Sequence, residues 1–152
     1  IDSISVSRIS HPRDRFSPGD QIKAVVINIE NGRITLSQKE LLGSWEQNAA
    51  LFSQGETVSG IVRSVEPYGI FVELMPNLAG LAEPKEGVLP GQQASVYIKS
   101  IIPEKMKIKL IIIDAFSAAT SAPSLQYFYT GAHLNNWQYS PAGSEKCIQS
   151  VF

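Results

Sequence analysis

The sequence is poor in cysteine and in charge. Cys147 is the only cysteine among 152 residues, so no disulfide can form within the chain, and we expect a protein of a reducing compartment such as the cytoplasm. Charged residues make up only 18% of the chain and the formal net charge is −1, which excludes an overall basic field that attracts nucleic acid. A site for an anionic ligand must therefore come from a local patch.

Long hydrophobic runs are also missing. The run "IKLIII" (108–113) is far shorter than the roughly 20 apolar residues that span a bilayer, so we expect no membrane partner. The hydrophobic fraction of 43% is ordinary for a folded chain and supplies a core. The chain opens on Ile1 rather than on methionine, and "IDSISVSRIS" is typical of the interior of a longer protein, so we expect a fragment.

Residues suited to catalysis or metal binding are few and scattered. His11 and His133 are the only histidines, and Cys147 has no histidine or carboxylate clearly paired with it. The Asp and Glu residues show no metal-ligand spacing. We therefore expect no enzymatic activity, no cofactor and no metal site.

What the chain does contain is a series of short β-strand patterns between residues 55 and 114. They are "GETVSGIVRSV", "YGIFVEL", a short strand near Leu81, "QASVYIKSI" and "MKIKLIIID". Five strands without a long helix between them usually close into a small barrel, because open sheet edges invite aggregation. The predicted fold class is all-β, with a five-stranded antiparallel OB-fold barrel over 55–115.

The segment before the barrel predicts a partial copy of it. "ISVSRIS" (4–10) alternates as a strand, "QIKAVVINI" (21–29) is typical of a buried strand, and "ENG" predicts a turn into "RITLS" (33–37). Residues 17–37 resemble residues 89–110 in this order of elements. We therefore predict that 1–36 is the second half of a repeat whose first half lies upstream, with exposed edges that pair with the tail or another chain.

The connection and the tail complete the predicted organisation. Over 37–53, Ser37 and Glu40 form a capping-box pattern and apolar residues recur at helical spacing, which predicts a linker helix that Gly43 weakens. The tail, 116–152, has five aromatic residues within 126–141. Gly131 suggests a hairpin there, and this much aromatic mass predicts a tail that docks on the barrel.

Strand alternation divides the barrel residues into two faces. The inward row is Val58, Val62, Ile70, Val72, Leu74, Val96, Ile98, Ile108 and Leu110. The outward row is Arg63, Phe71, Tyr97, Lys99, Lys107 and Lys109. Gly69 permits a bulge or a sharp bend that swings Tyr68 onto the face of Phe71. Aromatic rings among cations favour single-stranded nucleic acid, because bases stack on rings while Lys and Arg follow the phosphates.

Simpler explanations exist for each of these features. An outward Phe is more often covered by a neighbouring segment than used for a ligand, and outward lysines usually form a solvated face. Acidic residues also offset the lysines in number. They are Glu66, Glu73, Glu83, Glu86 and Glu104.

The segment "GETVSGIVRSVEPYGIFVELMPNLAGLAE", followed by "GQQASVYIKSI" and "KIKL", resembles the RNA-binding repeat of bacterial ribosomal protein S-one. The resemblance rests on a Gly-x-Val strand, an aromatic-Gly-x-Phe-Val strand, Gly-Leu, a Gly-x-x-x-x-Val strand and a basic-Ile-x-Leu strand, in that order. The whole chain is most similar to ribosomal-protein-S-one-like proteins of Gram-positive anaerobes. This resemblance implies an OB-fold that binds single-stranded mRNA or rRNA, with the ribosome as a further partner.

The resemblance also implies site residues, and the chain departs from the family at two positions. Tyr68 and Phe71 match the two aromatic positions and Lys107 the basic one. Glu83 stands where the family has His, and Pro103 where it has Asp. In the partial repeat Arg33 matches the basic position and Ser5 stands at the His position. The expected RNA-binding residues are therefore Tyr68, Phe71, Arg63, Lys99, Lys107, Lys109 and Arg33. The alternative is a protein-interaction or structural repeat whose RNA face is degenerate or covered.

Overall fold

A computed structural model describes residues 3–6, 9, 11–117, 125–129, 131 and 133–152. In these residues almost all regular structure is β, as predicted, with one short α-helix, α1 (Trp45–Ala49), and three 3-10 turns. The strands are β1 (Val25–Glu30), β2 (Arg33–Ser37), β3 (Thr57–Glu66), β4 (Gly69–Met75), β5 (Leu78–Ala82), β6 (Gln93–Ile102), β7 (Lys107–Phe116), β8 (Asn136–Gln138) and β9 (Gln149–Val151).

Strands β3 to β7 form a closed barrel in the order β3-β4-β5-β7-β6. The inward row predicted from strand alternation is confirmed. Val58 and Leu74 are partly buried at the margin of the core, and the other seven side chains are at most 1% exposed. The period of two therefore assigns the faces of the barrel correctly, and the outward residues are set by the same alternation.

The prediction of a fully antiparallel barrel is wrong at one pair of strands. β5 and β7 run parallel, with Leu81 paired to Lys109 and Ala82 to Leu110. The cause is topological. After β5 the chain passes to β6, which pairs with β3, and β7 then returns antiparallel to β6. β7 therefore runs in the direction of β5 where it closes the barrel.

The predicted helix over 37–53 is divided into two short pieces. Lys39–Leu42 forms a 3-10 turn and Trp45–Ala49 an α-helix, which Ser44 caps through a hydrogen bond from the N–H of Gln47. Gly43 separates them because its φ is 93°, a left-handed value that a continuous helix does not allow.

Strands β1 and β2 form a separate two-stranded ribbon. Val26 pairs with Leu36 and Ile29 with Ile34, which places these four side chains on one face. They are 51% to 69% exposed, so the prediction of a buried strand over 21–29 is wrong. In the described residues this sheet has two strands only, and a two-stranded ribbon has no second layer to cover its apolar face.

The N-terminal segment contacts the barrel through side chains rather than through a strand. The Ser5 hydroxyl donates to the carbonyl of Pro76, and the Val6 N–H donates to Oδ1 of Asn77 at 3.0 Å. Of the strand predicted over 4–10, residues 4–6 and 9 are described and are not in a strand, and the other positions lie outside the described residues. The described residues are held by these contacts with the β4–β5 turn.

The tail contains a small ribbon in which β8 pairs with β9. Tyr139, directly after β8, is 5% exposed and belongs to the same apolar cluster as the barrel core. Its carbonyl accepts a hydrogen bond from the Trp45 N–H at 3.0 Å. Gly131 lies before this ribbon rather than at its turn, which spans 139–148.

Candidate nucleic-acid interface

Tyr68 and Phe71 form an aromatic pair at one end of the barrel. Glu66 pairs with Gly69 and closes a two-residue hairpin loop, so Tyr68 stands at the tip, 65% exposed. Its ring lies 6.2 Å from that of Phe71, with an angle of 83° between the planes. Such edge-to-face pairs add about 0.5–1.5 kcal/mol. The two rings thereby hold each other in place without stacking on one another.

The pair lines a shallow cavity of about 410 Å³ on the outside of the barrel. Its other walls come from β3, β5 and the loop before β6. They are Arg63, Ser64, Val65, Glu66, Ala79 and Pro90. The lining contains no residue from the described part of the tail.

Phe71 and Lys109 lie in one row across three neighbouring strands. Phe71 on β4 is paired with Leu81 on β5, and Leu81 is paired with Lys109 on β7. Paired residues point to the same face of a sheet and strands lie about 4.8 Å apart, so Phe71 and Lys109 are roughly 10 Å apart. Lys107 is two residues along β7, on the same outer face and exposed. The structure therefore brings two predicted cations beside a predicted ring.

Lys99 occupies a bulge of β6 and is paired with an acid. Ile98 pairs with Leu110 and Ser100 with Lys109, which leaves Lys99 as the extra residue. Its Nζ lies 3.2 Å from a carboxylate oxygen of Glu83. Because both side chains are more than half exposed, the pair contributes little to stability. The negative charge that replaces the family's His is thus partly balanced locally.

Arg63 lies at a second bulge, on β3. Val62 pairs with Val72 and Ser64 with Phe71, so the bulge is here. At Gly69 the chain makes a hairpin bend, the second of the two predicted alternatives, and Tyr68 lies beside Phe71 as predicted. Gly69 is required for another reason, since a Cβ there would lie 2.7 Å from the carbonyl oxygen of Ala82. The guanidinium of Arg63 donates to Glu73 from Nε at 3.1 Å and from Nη2 at 2.8 Å.

Glu73 is the largest difference from the sequence analysis. It is 2% exposed, whereas the alternation placed it toward water. Besides Arg63 it is bound by Arg15, whose Nη1 donates at 3.0 Å and whose Nη2 contacts the second carboxylate oxygen. Sequence reasoning missed Arg15 because it lies in the loop "HPRDRFSPGD", where no periodicity marks an inward side chain.

Arg33 lies apart from the other predicted site residues. It is exposed on β2, paired with Glu30 across the separate ribbon. With Asn28, Asn31 and Thr35 these two residues line a shallow cavity of about 470 Å³. The barrel surface therefore combines six of the seven predicted residues, and Arg33 belongs to a different sheet.

The described residues contain no group of three or more His, Cys, Asp and Glu side chains that could hold a metal ion. Nor does that part of the chain contain a helix long and apolar enough to span a membrane. His11 has a structural contact, since its Nδ1 accepts a hydrogen bond from the Arg13 N–H at 3.1 Å.

No family model matches the chain, but several curated proteins do. The small ribosomal subunit protein bS1 of Leuconostoc lactis is 30% identical over 124 residues, which cover 72% of this chain and 29% of that protein. The bS1 homolog of Bacillus cereus is 29% identical over an alignment of 154 positions, which covers 92% of this chain and 40% of that protein. A 4-hydroxy-3-methylbut-2-enyl diphosphate reductase of Fusobacterium nucleatum is 32% identical over an alignment of 117 positions, which covers 75% of this chain and 14% of that protein.

The chain therefore spans less than half the length of each of these relatives. Similarity to bS1 proteins from several bacteria agrees with the closed five-stranded barrel. Together they show that the chain contains an OB-fold domain of the ribosomal protein S-one type.

Proposed function

We propose that the barrel binds single-stranded RNA without catalysis, as a repeat of an S-one-like translation protein in the cytoplasm that acts on mRNA or rRNA at the ribosome. The observation that carries the proposal is the row from Phe71 through Leu81 to Lys109. It sets a stacking ring beside phosphate-binding cations. The printed names of the bS1 relatives support the translation context.

The geometry suggests how a strand would lie. A base stacks on Phe71 or on Tyr68 at the hairpin tip, and such stacking contributes about 1–3 kcal/mol per base. The phosphates then run across the barrel toward Lys109 and Lys107. Because stacking accepts any base, little sequence preference is expected from these residues.

A titration of the chain with short mixed-sequence single-stranded RNA at about 0.1 M salt tests this proposal. We expect Phe71→Ala and the double substitution Lys107→Ala/Lys109→Ala each to reduce affinity at least about tenfold. Phe152→Ala and Lys146→Ala are matched controls, because both side chains are exposed and lie in the tail, outside the strands of the barrel. Equal losses in the controls, or no binding by the wild type, would contradict the proposal and favour a protein-interaction repeat.

We also propose that residues 1–36 are the second half of an incomplete copy of the barrel. The register of β1–β2 supports this. Val26 pairs with Leu36, Asn28 with Thr35, Ile29 with Ile34 and Glu30 with Arg33. In β6–β7 the pairs at the aligned positions are Ile98 with Leu110, Ser100 with Lys109, Ile101 with Ile108 and Ile102 with Lys107. Both ribbons even carry their bulge at the same place, at Ile27 and at Lys99.

In the barrel, β3 to β5 cover the apolar face of β6–β7. By analogy, the occupant of the exposed face on β1–β2 is a three-stranded meander of the same polypeptide. Maleimide labelling in a Cys147→Ser background tests this, with Ile34→Cys on the apolar face and Thr35→Cys on the polar face as its control.

We expect Cys at position 34 to be protected in the protein as its organism makes it and labelled in the 152-residue chain. Position 35 should be labelled in both. Protection that grows with the concentration of the 152-residue chain would assign the face to a second copy instead, and labelling of position 34 in both proteins would exclude a covered face.

A further inference from the structure

A buried ion-pair network lies two residues along β4 from Phe71. Glu73 sits between two guanidinium groups, that of Arg15 from the N-terminal segment and that of Arg63 from β3. The exposed fractions of the side chains are 0% for Arg15, 1% for Glu73 and 14% for Arg63. Only Arg63 thus reaches the surface, where it lines the same cavity as Tyr68 and Phe71.

Arg15 changes the charge that this network presents to the cavity. Asp14 adds a second negative charge, which raises the pKa of both arginines and so favours their protonated forms. With Arg15 present, two cations face two carboxylates. Without it, Arg63 alone would face Glu73 and Asp14, and the local charge would be negative.

Arg15 remains charged in this environment. Burial lowers its pKa to about 10, which leaves the guanidinium protonated near neutral pH. Its Nη2 also donates to the Pro76 carbonyl at 3.1 Å, so the side chain is held from two sides. The network is therefore a fixed charge arrangement and not a set of mobile surface residues.

We infer that Arg15 is a positioning residue of the RNA site, which neutralises Glu73 so that Arg63 is available to a phosphate beside Tyr68 and Phe71. This inference rests on the RNA-binding function proposed above. Arg15 itself cannot touch the ligand, since its side chain is fully buried. Its effect on binding must therefore pass through Glu73 and Arg63.

RNA titrations across a range of salt concentrations test the inference with four proteins besides the wild type. They are Arg15→Met, Arg15→Lys, Glu73→Gln and the double variant Arg15→Met/Glu73→Gln. Circular dichroism confirms that each protein is folded before it is titrated. The same short RNA serves throughout, so that differences report on the network alone.

We expect Arg15→Met to weaken RNA binding roughly fivefold and to reduce the slope of log affinity against log salt by about 0.7, the loss of one phosphate contact. Arg15→Lys keeps the charge and should bind nearly as well as the wild type. The double variant removes the carboxylate along with its partner, so it should regain both affinity and slope even where its stability stays low.

A purely structural role gives a different pattern, in which the double variant binds as weakly as Arg15→Met. That result, or wild-type affinity in Arg15→Met, would overturn the inference. If Arg15→Met does not fold, Glu73→Gln decides alone. It leaves two cations facing Asp14 alone, so affinity should rise, and an unchanged affinity would contradict the inference. Absence of RNA binding by the wild type would instead refute the proposed function itself.

Discussion

Tyr139 in the tail donates its hydroxyl proton to the backbone carbonyl of Asn77, at 2.6 Å. Asn77 lies between β4 and β5 and is completely buried. Its side-chain amide donates to the carbonyls of Lys39 at 2.8 Å and Gly43 at 3.1 Å. The same residue also accepts from the Val6 N–H. The β4–β5 turn of the barrel is therefore bonded to the N-terminal segment, the linker and the tail at once.

Replacement of Asn77 should destabilise the whole chain. Asn77→Ala removes the side-chain bonds and leaves the carbonyls of Lys39 and Gly43 without this donor, at a cost of about 2–4 kcal/mol. Urea unfolding measures the loss, and Asn135→Ala, at an exposed position of the tail, is the control. A change in Asn77→Ala no larger than in the control would show that the hydrogen bonds contribute nothing net.

Tyr139 should make stability sensitive to alkaline pH. Burial raises the pKa of its phenol above the ordinary value of 10, so the folded state holds the proton more tightly than the unfolded state does. The stabilisation is complete below pH 10 and declines as the pH rises through the folded-state pKa, by up to about 1.4 kcal/mol per pH unit.

Comparison of the wild type with Tyr139→Phe isolates this effect. The variant should be about 1 kcal/mol less stable near neutral pH, because it loses the bond to the Asn77 carbonyl. Above pH 10 the difference should shrink, since only the wild type must keep a buried phenol protonated. Unfolding curves at several alkaline pH values measure it, and a constant difference would show that Tyr139 does not titrate differently in the two states.

A pair of glycine substitutions separates backbone strain from the docking of the tail. Gly43 and Gly87 have similar positive φ values, 93° and 81°, but a Cβ at Gly43 would lie 2.6 Å from the ring of Phe128 whereas one at Gly87 meets nothing within 4 Å. Gly87→Ala should cost about 1 kcal/mol from strain alone. Gly43→Ala should cost clearly more, as measured by thermal unfolding, and equal losses would imply that Phe128 moves away freely.

Glu83 should act against RNA binding. It faces Lys99 on the exposed barrel surface, so it competes with phosphate for that cation. Glu83→Gln should raise RNA affinity roughly twofold and make the affinity more dependent on salt. Glu86→Gln removes the same charge from the neighbouring loop, and an equal gain there would indicate a general charge effect rather than release of Lys99.

Much of the barrel and of its outer face could be predicted from the sequence. Strand alternation is a local property, so it correctly placed Ile70, Val72, Ile108 and Leu110 inside, and the same alternation placed Phe71 and Lys109 outside. The hairpin that presents Tyr68 followed from the same local signals.

The predictions that failed have a common physical cause, because each depends on parts of the chain that are distant in sequence. Gly43 divides the linker at a position where Phe128, from a distant part of the chain, leaves room only for glycine. The strand over 21–29 was expected to be buried because its own residues are apolar, although burial depends on a second layer. The parallel pair β5–β7 depends on the path between strands and not on their composition.

The sequence by itself determined which residues form strands and which side of each strand is apolar, because a two-residue period depends only on residues that are adjacent in sequence. Only the tertiary structure decided the state of Glu73. Its alternation is that of a solvent-facing acid, yet it is buried between Arg63, ten residues away, and Arg15, fifty-eight residues away. Whether a charge meets water or an opposite charge depends on which segments fold over it.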